Sequence, residues 1–120
     1  MPETTITPQL LAITGIVPTF GAANSTADGG SKFALAAGHL YFVYIKNVAA
    51  GGNSICTFNS VVPCDQGSDH DVPVTVADGA EKIIGPFGFG TRFKNTSGDI
   101  HFDIDEVTNV TVAVVKVPVQ

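Results

Sequence analysis

Thirteen glycines and seven prolines cut this chain into short segments, and those segments are rich in Val, Ile, Thr and Phe. β-Branched and aromatic side chains suit a pleated, half-buried surface, while frequent Gly and Pro work against long helices. No helix and no repeat with a period of 20 to 50 residues is expected anywhere in the chain. At 120 residues the chain has the size of one ordinary domain. The fold class expected is therefore all-β: a single-domain antiparallel β-sandwich or jelly-roll-like barrel over residues 9–120, preceded by an extended N-terminal arm over residues 1–8.

Eight strands are expected: Gln9–Ile16, Phe33–Ala36, Leu40–Asn47, Ser54–Asn59, Val72–Val76, Glu81–Gly85, Ile100–Asp105 and Val110–Val117. Alternation of period two is clearest late in the chain. Ile100, Phe102 and Ile104 share one face, and His101, Asp103 and Asp105 share the other. Val110, Val112 and Val114 alternate with Thr111 and Ala113 and run on into Val115 and Val117, which predicts a last strand covered in part on both faces. Pro73 has no amide donor and places Val72–Val76 at a sheet edge. The Asp78-Gly79 pair predicts a hairpin into the strand that starts at Glu81, because both residues tolerate positive φ. Residues 21–31 are small, polar and glycine-rich and predict a loop.

Charge is scarce. Charged residues are 14% of the chain, against roughly 25% in ordinary soluble domains, so the surface is either quietly polar or normally covered. The net charge of −5 argues against an unspecific nucleic-acid binder or a binder of anionic membranes, both of which need basic clusters. No apolar run approaches the roughly 18 to 20 residues of a helical membrane span. The opening residues Met1–Thr7 carry Glu3 and no cation, which argues against a cleaved secretory signal. Cys56 and Cys64 are close enough in sequence for a small disulfide loop; two reduced thiols are the other reading.

The densest polar cluster, Asp65, Asp69, His70 and Asp71, carries oxygen and imidazole donors. It lacks the bidentate Glu of an EF-hand loop, and Asp beside Gly commonly caps its own backbone. No nucleophile-elbow, metalloprotease or phosphate-loop motif accompanies His39, His70 or His101. The chain is therefore not expected to be an enzyme, and no metal or cofactor is expected. Phe87, Phe89 and Phe93 are spaced by glycines that offer no packing of their own. Their rings must find neighbours elsewhere in the fold or in another chain, which makes them candidates for a subunit contact. Thr4, Thr5, Ile6 and Thr7 form an extended, Thr-rich stretch able to add a strand to another protein's sheet edge.

The opening TPQLLAITGIVPTFGAAN (Thr7–Asn24), the Leu40–Asn47 strand ending in Lys-Asn, the VPVTVADGAEKIIGPF segment (Val72–Phe87) and the closing VTNVTVAVVKV (Val107–Val117) together resemble small tailed-bacteriophage capsid decoration, or head cement, proteins. The resemblance covers most of the chain and is weakest over Ser54–Asp71. It implies a structural protein made in the host bacterial cytoplasm that ends on the capsid exterior of the virion, binds the major capsid protein, and commonly forms a homotrimer. It also implies that the N-terminal arm lies on the shell, with Thr4, Thr5, Ile6, Thr7 and Leu10 as contacts. Neither nucleic acid nor membrane is implied as a partner. The alternative is a β-sandwich binding module of a phage tail or fibre that recognises host carbohydrate or protein through residues 21–31 and 60–71.

Overall fold

The computed structural model of the protein describes residues 3–12, 14–25, 29–48, 51–60, 71–88 and 93–118. Among the described residues ten strands follow one another: β1 (Thr4–Thr5), β2 (Gln9–Leu10), β3 (Gly21–Ala22), β4 (Ser31–Ala34), β5 (His39–Asn47), β6 (Ser54–Phe58), β7 (Val72–Val76), β8 (Glu81–Phe87), β9 (Asp99–Ile104) and β10 (Val110–Pro118). No helix occurs among the described residues. The strands form two sheets, one ordered β1-β4-β9-β6-β7 and the other β2-β10-β5-β8, with β3 also laid against β10. The architecture is all-β and sandwich-like.

The alternation in the sequence explains the core. Ile100, Phe102 and Ile104 of β9 are fully buried, while His101 and Asp103 face outward on the same strand. They meet Tyr41, Val43 and Ile45 of β5 and Val110, Val112 and Val114 of β10, all buried, from the facing sheet. Phe33, Phe58, Phe87 and Phe102 form a connected set of rings, with Phe58 and Phe102 directly opposite across the β6–β9 ladder at 5.4 Å between centroids. Each such side chain contributes about 1.5–3 kcal/mol by leaving water. The longest ladder is β5 against β10, paired residue for residue from Val110↔Asn47 to Pro118↔His39. Ala113 is buried on the outward face of β10, so that strand is covered in part on both sides.

Strand β7 is an edge strand, where Pro73 costs the sheet no hydrogen bond. Two expectations are corrected. The sheets are mixed rather than antiparallel, because β1 joins β4 and β2 joins β10 in parallel. The strand expected over Gln9–Ile16 stops at Leu10: a turn closed by Gly15 N–H on Ala12 O, with Gly15 at φ +87°, bends the chain out of register. The extended arm expected over residues 1–8 lies, over part of its described length, against its own chain, with Thr4 and Thr5 paired to Ser31 and Lys32.

The hairpin expected at Asp78-Gly79 is a fourth sequence signal that the tertiary structure uses differently. A turn does form there, closed by Ala80 N–H on Ala77 O at 2.9 Å with Gly79 at φ +82°. Only the second central residue has positive φ, whereas the tight two-residue hairpin turns that keep neighbouring strands paired need it at the first. The flanking strands separate: β7 pairs with β6, and β8 crosses to the other sheet and pairs with β5.

Candidate functional site

The outward face of the β2-β10-β5-β8 sheet is unusually apolar. On β5 the residues alternating with the core set are Leu40, Phe42, Tyr44 and Lys46; their cross-strand partners on β10 are Val117, Val115, Ala113 and Thr111. Ile83 of β8 stands opposite Tyr44 and is 66% exposed. Residues 14–20 run over part of this face and are pinned at one end by Gln9, whose amide donates to Thr19 O and accepts from Thr19 N–H, both at 2.8 Å. Phe20 packs edge-on against Tyr44 at 5.0 Å, and the Lys46 ammonium sits 4.3 Å from the Phe20 ring centre.

What residues 14–20 leave uncovered is a groove of about 290 Å³ lined by Leu11, Ile16, Phe42, Ile83, Val115 and Val117, among others. Leu10, Leu11 and Val17, at 55%, 42% and 93% exposure, add to the apolar surface of this N-terminal stretch. Its polar rim is Tyr44, whose hydroxyl donates to Glu81 Oε1 at 2.6 Å. That bond to a carboxylate holds the phenol above its ordinary range.

A second cluster lies on the outward face of the other sheet. Glu3 contacts His101 Nδ1 and pairs with Lys32 Nζ at 3.5 Å. His101 Nε2 meets Asp103 Oδ1 at 3.0 Å, and Lys32 also reaches Asp99 at 3.8 Å. These groups are half-exposed, so the network holds the chain's beginning against β4 and β9 rather than forming a buried reactive centre. Among the described residues no group of three or more His, Cys, Asp and Glu side chains is placed to hold a metal ion.

The residues singled out from sequence fall in different places. Thr4, Thr5 and Thr7 are exposed and Ile6 packs on the core's edge; Leu10 borders the groove's strand. Phe87 is only 5% exposed and lies in the chain's own core, its ring 5.0 Å from Phe58 and 5.7 Å from Phe93. Phe93 is half-buried beside it, so these two rings find neighbours within the chain, the first of the two places the sequence allowed them. Phe89 lies outside the described residues, as do Cys64, Asp65, Asp69 and His70. Asp71 accepts the Ser60 N–H at 2.9 Å. Cys56 is a free, buried thiol, and burial first, with the Asp103 charge second, pushes its ionisation well up. Two groups were missed by sequence reasoning. Ile83 looked like an ordinary strand residue, and Glu3 looked only like a charge in an extended tail.

No known protein family, curated protein or solved structure matches this chain.

Proposed function

We propose that this chain is a structural virion protein that binds the outer surface of a phage capsid and cements neighbouring capsid subunits, acting as an oligomer and without catalysis. The observation that carries the reading is the apolar outward face around Ile83, Phe42, Val115 and Leu11, which is open on a chain with few charges. Exposed apolar groups gathered around one groove on a small domain are what a permanent partner covers. The resemblance of the Thr7–Asn24, Val72–Phe87 and Val107–Val117 segments to decoration proteins supplies the kind of partner, the major capsid protein. A shell offers many identical copies of its surface, so a modest footprint repeated in register gives high avidity.

The test is co-sedimentation with capsids of the parent phage. The native protein is expected to pellet with the shells, and Ile83→Glu, which places a charge in the groove's wall, is expected to stay in the supernatant while keeping its fold by circular dichroism. Equal pelleting of both proteins removes the groove from the contact. Failure of the native protein to bind shells, together with binding on a glycan array, would instead favour a host-recognition module.

A further inference from the structure

We propose that β1 is exchanged between copies of this chain, so that residues 3–6 of one copy pair with β4 of the next; this rests on the oligomeric reading above and names how the copies are joined. The receiving edge is built for this segment. Thr4 N–H donates to Gly30 O at 3.1 Å and Ile6 N–H to Lys32 O at 2.8 Å, fixing the register Thr4↔Ser31 and Thr5↔Lys32. Glu3 then falls between the Lys32 ammonium and the His101 ring, with Asp103 and Asp99 bracing those two partners from β9. Gly30 keeps the site open, because a Cβ there would overlap Asp103 Oδ1 and come within 2.9 Å of His101. These contacts select an extended segment with a carboxylate one residue before the first paired Thr, and the sequence that fits is the chain's own.

The connection within one copy is much less well made than the docking. Thr7 and Pro8 cross from one sheet to the other beside an open cleft of about 360 Å³, bordered by Thr5, Thr7, Gln9, Thr19, Gly21 and Val112. On the side of this gap the exposed Thr7 has no dispersion partners to hold the crossing in place. Pro8 keeps Thr7 in the extended region, so the hinge opens into a straight arm with little torsional change. Every β1 contact is the same whether the strand comes from its own chain or a neighbour's, which is why exchange of an identical element is a low-cost route to oligomers.

The test mixes two variants, Thr5→Cys and Lys32→Cys, under mild oxidation, with peptide mapping of the products; residues directly opposite in a ladder are near enough for a disulfide. Exchange predicts a covalent link between positions 5 and 32 joining one variant to the other. A second measurement needs no substitution: in a mixture of isotope-labelled and unlabelled native protein, exchange predicts nuclear Overhauser contacts between chains from Thr4 and Thr5 to Ser31 and Lys32. Contacts only within a chain, with the 5-to-32 link formed only inside the Thr5→Cys, Lys32→Cys double variant, would overturn the exchange. Sedimentation then separates the two failures, since an oligomer with unexchanged β1 leaves the oligomeric reading standing and a monomer at all concentrations removes both.

Discussion

Asn47, the last residue of β5, donates a side-chain hydrogen bond across the sandwich to the carbonyl of Val76, the last residue of β7, at 3.1 Å. The same amide donates to Gly52 O at 2.8 Å, and the Asn47 backbone N–H reaches Ala80 O at 2.9 Å. Both ends of the Asp78-Gly79 turn are thereby tied to one point on the opposite sheet. With Asn47 only 2% exposed, its bond to Val76 forms away from water, where a missing partner is expensive.

Asn47→Ala is accordingly expected to lower stability by about 2–3 kcal/mol, since it leaves the Val76 and Gly52 carbonyls without their donor. Asn47→Asp is expected to cost more, because a carboxylate would face two carbonyl oxygens. Urea denaturation of the two variants and the native protein measures both; an Asp variant as stable as the native chain would show that the amide is not the tie.

Gly30 and Gly38 both have positive φ, +71° and +86°, but only Gly30 is crowded, by Asp103 and His101. Gly38→Ala bears the backbone strain alone, about 1 kcal/mol. Gly30→Ala bears that strain and also displaces Asp103 from His101, so it is expected to be the more destabilising of the two and to loosen β1. Amide hydrogen exchange at Thr4 and Ile6, together with thermal unfolding, checks the order.

Cys56 makes stability fall in alkali. Its ionisation is raised in the folded state by burial and by Asp103, so the stabilisation is fully present below the ordinary thiol value of about 8.5. Above that pH the unfolded chain releases a proton that the folded chain keeps, and stability falls by about 1.4 kcal/mol per pH unit toward the folded-state value. Cys56→Ala is expected to remove this component of the slope between pH 9 and 10. Thiol reagents are expected to leave position 56 of the native protein unlabelled until it unfolds; rapid labelling at pH 8 would contradict its burial.

Phe87 and Ile83 lie four residues apart on β8 with opposite roles. Phe87→Ala is expected to cost about 3–5 kcal/mol, because it empties a site between Phe33, Phe58 and Phe93. Ile83→Glu is expected to change stability by no more than about 0.5 kcal/mol. Chemical unfolding of both variants reads the difference, and comparable losses would mean that Ile83 is part of the folded core.

The strands and the core were legible because alternation is a property of neighbouring residues. Val72–Val76 matches its expected bounds, and β5, β6, β9 and β10 lie within a residue of theirs. The candidate surface was less legible. Leu11, Phe42, Ile83 and Val115 come from four separate stretches and form a groove only after β2, β5, β8 and β10 are placed side by side. Glu3 and His101 are 98 residues apart, and nothing local to either points to the other.

The amino-acid sequence by itself determined which segments extend, which face of each turns inward and where the chain bends, since period-two patterning, Gly and Pro act over a few residues. Only the tertiary structure decided which edges those segments occupy. Residues 4–5 and 9–10 join different sheets, and the Asp78-Gly79 turn passes from one sheet to the other instead of closing a hairpin. The physical reason is that pairing is made by backbone N–H and C=O groups, which are the same at every residue except proline. The choice of partner therefore rests on long-range fit, here on ties such as Asn47 to Val76 and Glu3 to His101.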